Sequence, residues 1–468
     1  MKKAIKLIAA ITVLAMALMG ISGCGASAGR TEDGKVKIKI ANAPDKNTDK
    51  VAYDSWQKSA DIFMEKNSDI AVIAEPWAYD VQTFIPKAEG GTLATLYAAH
   101  FTEGKKIIEF GYSADMTDFL KKNGDYDKLN PVLLPNITDK NGDVYLLPGT
   151  VYTLGIIMNM KLMRQAGLVN EDDSPMVPKT FDELAEMAKT ITEKTGVSGF
   201  VFPTTGNGGG WTFNNVGWAY GGDFITKDDN GKWNANLDSN EIVSAMEWLK
   251  NMKWGYNCMP ASTLVNNADT MKMVGTDQAA MAIGHPGQLA QLIANFGMDL
   301  NDIAMVQIPA GPAKHVALMG GSYYAIANNA SEEQVAAVYK WLEFKGATSK
   351  LTDEVKQEIE RENKANYDEG KTVIGIKDLS VWNEESEVQA FRDEMCEKYR
   401  NVPIGHVASY NDKEGLEFQT EEEVCAQDMY SILDSIIQIV LTEPDADCRE
   451  LLKEGNDKLQ RDFLDHEE

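Results

Sequence analysis

An α/β fold follows from three observations: a strand, a helix and a second strand in succession near the start, capping boxes ahead of later helices, and apolar stripes at helical spacing along the chain. Residues 35–40 read KVKIKI, with Val36, Ile38 and Ile40 alternating as in a half-buried strand. Ala52, Trp56, Ala60 and Phe63 recur at helical spacing, and IAVIAE from Ile70 supplies the second strand. That succession is a βαβ unit on a parallel sheet. Further on, Thr180-Phe181-Asp182-Glu183 is a capping box, in which Thr accepts from the third helical N–H and Glu reaches back. Phe181, Leu184, Met187, Ala188 and Ile191 form its apolar stripe, which Gly196 ends. Ile242, Ala245, Met246 and Leu249 mark another helix. Ser331 with Gln334 repeats the capping device ahead of Val335, Val338, Tyr339 and Leu342. Tyr430, Leu433, Ile436, Ile437 and Val440 mark a helix near the end. Asp228-Asp229-Asn230-Gly231 is a turn, and as a calcium loop it lacks the first and twelfth ligands. The charged segment Lys350 to Glu369 reads as a solvated helical excursion.

Ahead of the first strand, Lys2, Lys3 and Lys6 precede thirteen apolar-rich residues, Leu7 to Met19. A bilayer needs about 20, so this is the charged start and short apolar run of a secretory signal peptide over residues 1–23. Ile21-Ser22-Gly23-Cys24 resembles the lipobox of bacterial lipoproteins. The resemblance implies acyl chains (palmitate among them) on Cys24, a flexible tether over residues 24–34, and a place on the extracytoplasmic face of the bacterial cell membrane. An ordinary secretion signal with a chance cysteine is the plainer alternative. No other stretch is long and apolar enough to span a membrane. The formal net charge is −26 and the leader carries three lysines and no acid, so the chain after it sits near −29. That excludes a broad basic face for nucleic acid or anionic lipid. Cys258, Cys396, Cys425 and Cys448 allow three pairings, fit no zinc spacing, and are expected to be unpaired or only partly paired.

Several stretches in fixed order look like one family. Tyr145-Leu146-Leu147-Pro148-Gly149 followed by Leu154-Gly155-Ile156-Ile157-Met158-Asn159 is similar to its "Y-x-L-P … G-x-x-Y-N". Pro178 to Leu184 resembles its "P-x-T-W/F-x-E-L" helix start, and Trp218 to Phe224 its "W-x-x-G-G-x-x". Ala279 to Pro286 resembles "A-A-M-x-x-x-G-x", and Gly320 to Ile326 the "G-G-x-x-x-x-I" strand. The series resembles the extracellular solute-binding proteins of ABC importers, in the maltose-binding-protein-like group. It implies a periplasmic-binding-protein-like type II fold: two α/β lobes with a ligand cleft and hinge, the chain crossing between them near Tyr145 to Asn159. On that pattern lobe 1 is 35–148 with roughly 316–345 returning to it, lobe 2 is 149–315, and 346–468 supplies helical segments packing on both. It further implies delivery of a sugar or oligosaccharide to permease subunits by a monomer.

Sugars offer apolar ring faces to aromatic side chains and hydroxyls to carboxylates, amides and backbone groups. GNGGGWTFNNVGW, residues 206–218, offers both, with Trp211, Asn214 and Asn215 as platform and amides and glycines permitting close approach. Trp211 falls about where sugar-binding members carry a stacking aromatic; core packing is the competing reading, and the stronger one for Trp218. Trp77 and Asp80 follow a strand end, where open α/β sheets place ligands, although surface packing would use them equally. His100 and Glu103 sit in another such loop, where Glu103 is either a hydroxyl acceptor or a solvated charge. Tyr152 and Tyr323 complete the set. Sugar-binding members often carry Trp where this chain has Gly287; either His285 or an aromatic such as Trp382 substitutes, or the ligand is not a stacked oligosaccharide.

The five histidines show no metal spacing, and no nucleophile elbow or phosphate-cradling loop occurs. No cofactor, no metal and no catalysis are expected. The leading expectation is a lipid-anchored receptor that hands a carbohydrate to a permease. A receptor for a peptide or polyol is the alternative, and a surface glycan hydrolase a more distant one.

Overall fold

The computed structural model describes residues 29–48, 50–383 and 386–467. The leader, the lipobox and Cys24 lie outside the described residues. The chain divides into two compact units: Met1–Ala98 with Gly111–Asp115 and Tyr324–Lys345, and Ala99–Phe110 with Met116–Tyr323 and Gly346–Glu468.

In the first unit the expected βαβ element forms. Strand β1 (Val36–Ile40) lies parallel to β2 (Ile70–Ala74), in register from Val36↔Ile70 to Ile40↔Ala74. A third strand, β3 (Leu96–His100), pairs parallel on the other side of β1 at Ile40↔Leu96. Parallel neighbours need a crossover, and the helix Lys50–Lys66 provides the first one, burying Ala60 and Phe63. Phe63 meets Trp341 edge-on at 5.3 Å and Phe344 at 5.5 Å, both on the helix Glu332–Phe344. The Ser331 capping box that opens this helix is complete: Ser331 Oγ accepts from Gln334 N at 3.2 Å, and Gln334 Oε1 accepts from Ser331 N at 3.1 Å.

The second unit holds strands β4 (Leu146–Thr153), β5 (Gly155–Asn159), β6 (Ser198–Val201), β7 (Ile225–Lys227), β8 (Trp233–Ala235), β9 (Ala279–Gly284), β10 (Ile303–Gln307) and β12 (Glu417–Gln419); β11 (Val316–Ile326) runs on into the first unit. Four of them form a sheet in the order β10-β5-β9-β6, with β5 antiparallel to both neighbours and β9 parallel to β6. Every residue of β5 and β9 is buried, as central strands covered on both faces require. Gly155 is needed there, since a Cβ would stand 2.6 Å from the Val306 carbonyl oxygen. Both β4 and β5, where the resemblance places a crossing between lobes, belong to this second unit. The helix Phe181–Thr195 starts at Thr180, whose hydroxyl accepts from Glu183 N at 3.1 Å, and stops at Gly196 with φ 73°. Its capping box differs from the expected one: Glu183 Oε2 reaches back to Lys179 N at 2.7 Å, one residue beyond the cap.

Two elements correct the sequence reading. The segment read as a solvated excursion is the helix Asp353–Glu369, but Val355 and Ile359 pack with Val388 and Met395 in a small core of their own. Glu358 is buried on that face and bonds Arg361 at 2.8 and 2.9 Å. The glycine-rich run 206–218 is mostly helix, Gly208–Ala219, buried at every residue but Trp211. Gly210 admits another helix: a Cβ there would lie 2.4 Å from Tyr430 Cα on the helix Ala426–Thr442. The Asp228 turn closes the β7–β8 hairpin, with Asp228 Oδ1 accepting from Asn230 N and Lys232 N. Cys258, Cys396, Cys425 and Cys448 are free thiols.

Candidate functional site

A pocket of about 240 Å³ opens within the second unit. Seven separated stretches of the chain build it. The end of β3 and the turn after it bring His100 and Thr102, β4 and β11 bring Tyr152 and Gly321, and the residue directly after β9 is His285. The start of the helix Gly208–Ala219 supplies Gly206, Asn207, Gly208 and Trp211, with Asn267 beside it, and the C-terminal segment supplies Glu421, Gln427 and Tyr430. Two larger depressions, of about 530 and 610 Å³, lie in the first unit around the Arg30–Glu333 ion pair. Among the described residues no aromatic lines either, so these give no platform for a ring.

The aromatic wall is a cluster. Tyr152 stacks on the His285 ring at 4.8 Å, and Trp211 meets the same ring edge-on at 6.1 Å. The paired glycines of β11 make room for it: a Cβ on Gly320 would lie 2.9 Å from the Tyr152 ring, and one on Gly321 would lie 2.1 Å from the Thr150 carbonyl oxygen. Burial holds the His285 imidazole down at about 4, so it is neutral at physiological pH. Burial lowers His100 too, while the Glu103 carboxylate pulls it the other way.

The polar wall is braced from behind. Tyr430 Oη donates to Glu421 Oε1 at 3.0 Å and accepts from Asn214 Nδ2 at 2.8 Å. Asn207, at φ 63°, donates its side-chain amide to Gln427 Oε1 at 2.9 Å, and Gln427 Nε2 reaches Thr102 Oγ1 at 3.4 Å. The first turn of the helix is closed by Asp434, which accepts from Asn207 N at 2.7 Å and Gly210 N at 2.8 Å. A carboxylate there satisfies donors that every helix start leaves open and faces the positive end of its dipole. Glu421 is half-buried, and burial, reinforced by the nearby Glu103 charge, pushes its carboxyl up to about 7 against the donors on Tyr430 and Trp211.

Of the ten residues singled out in the sequence, His100, Tyr152, Trp211 and His285 stand in this wall. Glu103 and Tyr323 are buried next to it: Tyr323 stacks on Phe101 at 4.2 Å, and its hydroxyl has no hydrogen-bond partner among the described residues. Asn214 and Asn215 are fully buried, Asn214 bracing Tyr430 and Asn215 tying Leu318 N to Thr212 O. Trp77 and Asp80 belong to the first unit, where Asp80 caps the helix Val81–Glu89 and Trp77 Nε1 donates to Thr83 Oγ1 at 3.1 Å. Of the two residues offered in place of a tryptophan at Gly287, His285 is in the wall and Trp382 is buried, bridged to Leu129. Sequence reasoning did not single out Glu421, Gln427 and Tyr430 as site residues; the one signal available was the run Glu421-Glu422-Glu423 directly ahead of an apolar helix.

Residues 43–348 match the sequence profile of the bacterial extracellular solute-binding proteins, and the chain belongs to that family. Its fold is the two-lobe, maltose-binding-protein-like type II class, seen in a solute-binding protein of an ABC transporter from Thermotoga lettingae TMO bound with α-D-tagatose (19% identity, TM-score 0.67, covering 91% of this chain and 99% of that one). UgpB of Mycobacterium tuberculosis, in complex with glycerophosphocholine, is similar at 17% identity and TM-score 0.68 over 91% and 98% of the two chains. An ABC substrate-binding protein of Listeria monocytogenes, in complex with cycloalternan, is similar at 16% identity and TM-score 0.66 over 92% and 99%. No curated protein matches the sequence. Among the described residues no helix is long and apolar enough to cross a membrane.

Proposed function

We propose that this protein is the lipid-anchored receptor of an ABC importer, capturing a carbohydrate at the pocket of its second unit and delivering it to the membrane permease. The observation that carries the reading is the pocket itself: the Tyr152–His285–Trp211 wall for ring faces, with Glu421, Asn207, Asn267 and Gln427 around it for hydroxyls. Structurally similar proteins bound to tagatose and cycloalternan support it. The anchor rests on the lipobox at Cys24, since each buried methylene of an acyl chain adds about 0.8 kcal/mol of membrane affinity and two or three chains hold a protein firmly.

Thermal-shift screening of the chain with Cys24→Ser tests the ligand class. A solute at a hundred times its Kd stabilises the folded state by about 2.7 kcal/mol, so at least one mono- or oligosaccharide should raise the melting temperature measurably. A second reading, a polyol or other non-sugar solute, has one observation in its favour: Gly287 is exposed and places no ring where sugar-binding members carry tryptophan. Shifts with polyols or peptides and none with sugars would replace the first reading with this one.

A further inference from the structure

Among the described residues no lysine or arginine lines the pocket of the second unit, and burial disfavours charge on its histidines, holding His285 down at about 4 and lowering His100. Glu421 is the one carboxylate in the wall. Tyr430 donates to it at 3.0 Å and is itself held by Asn214, whose side-chain amide donates to the Tyr430 hydroxyl at 2.8 Å. Its charged neighbours do not neutralise it. Glu103 is buried beside it with the same sign, Glu422 follows it in the chain, and Lys105, which lines an adjoining hollow together with Glu421, is ion-paired with Glu423. Tyr152 and Tyr323 feel the same negative charge, which raises both phenols further above their already burial-raised values.

A carboxylate short of both water and a counter-ion, set among π faces, is a place where a cation is missing. An ammonium there would form a charge-assisted hydrogen bond to Glu421 and be attracted by the faces of Trp211 and Tyr152. A phosphate or carboxylate would meet a like charge with no cation in the wall to offset it. We propose that Glu421 makes this pocket selective for a solute carrying a protonated amine, an amino sugar or similar polyhydroxylated amine, over its neutral and anionic counterparts. The inference rests on the carbohydrate-capture reading above and names the substrate class within it.

Calorimetric titration of the chain with Cys24→Ser tests it with three probes of equal carbon skeleton: glucamine, sorbitol and gluconate. At pH 7.5 glucamine should bind about tenfold tighter than sorbitol or more, one good ion pair's worth of selectivity, and gluconate weakest. The preference should shrink to within about threefold in Glu421→Gln, which keeps the shape and can still accept from Tyr430. If that variant fails to fold, the wild type decides. Lowering the pH to 5.5 protonates Glu421 while glucamine stays charged, so the preference should fall there too. Equal binding of glucamine and sorbitol, or a preference that survives both Glu421→Gln and pH 5.5, overturns the inference while leaving carbohydrate capture standing. No binding of any probe or of any sugar in the thermal screen overturns both.

Discussion

Trp211 and Glu421 face the same pocket with opposite chemistry, and substitution separates their contributions. Trp211 is half-buried at its rim, so Trp211→Ala removes a platform while leaving the helix Gly208–Ala219 in place. The expected result is a loss of sugar affinity of about tenfold or more, since aromatic contacts contribute about 0.5–1.5 kcal/mol beyond the area they cover, with a melting temperature close to wild type. Glu421 behaves differently because its carboxyl is raised in the folded state to about 7. A carboxyl raised on folding binds its proton more tightly in the native than in the unfolded chain, so stability falls as pH rises from about 4.5 to about 7 and is flat above. Glu421→Gln should therefore be more stable than wild type at pH 8, by roughly 1–2 kcal/mol once partial exposure to water is allowed for. The gap should close below about pH 4.5, and denaturant melts at the two pH values measure it.

Element by element, the parts most legible in the sequence are those fixed by local chemistry. The β1 alternation, the Thr180 and Ser331 caps and the Gly196 stop each depend on residues within one turn of one another, and the structure carries them where the pattern puts them. Thr180→Ala removes the acceptor for Glu183 N and should cost about 1 kcal/mol, read from the denaturation midpoint. What depends on distant packing was not legible. The glycines of 206–210 read as permitting a solute's close approach; Gly206 and Gly208 do line the pocket, but Gly209 and Gly210 are where one helix lies against another. Gly210→Ala decides between two effects of opposite sign: alanine favours a helix by about 1 kcal/mol, but its Cβ would sit 2.4 Å from Tyr430 Cα, and such overpacking costs about 1–3 kcal/mol. Backbone cannot swing aside as a side-chain tip can, so the variant should be destabilised, and loosening Tyr430 should weaken solute binding as well.

At the scale of the whole chain, the pocket gathers residues from position 100 to position 430, which is why the site was only half visible beforehand. His285 stands in a short stretch that resembles a family motif, Tyr152 lies between the two parts of another, and Trp211 falls about where sugar-binding members carry a stacking aromatic. Glu421, Gln427 and Tyr430 come from a segment beyond the matched residues 43–348, where Tyr430 reads simply as one member of an apolar stripe. The boundary between the units was equally hidden, because two of its crossings fall inside β3 and β11, where the strand pattern continues without a break. The anchoring proposal belongs to this scale too. Cys24→Ala should move the protein from the membrane fraction to the soluble one, and mass spectrometry of the native protein should find acyl chains on the residue 24 peptide.

The most direct test of carbohydrate capture is a crystal structure of the chain with the solute that stabilises it most. A sugar or sugar-like molecule is expected in the second unit's pocket, with a ring or carbon face against Trp211 or Tyr152 and a polar group on Glu421. A solute bound at another place, with this pocket holding only water, would contradict it.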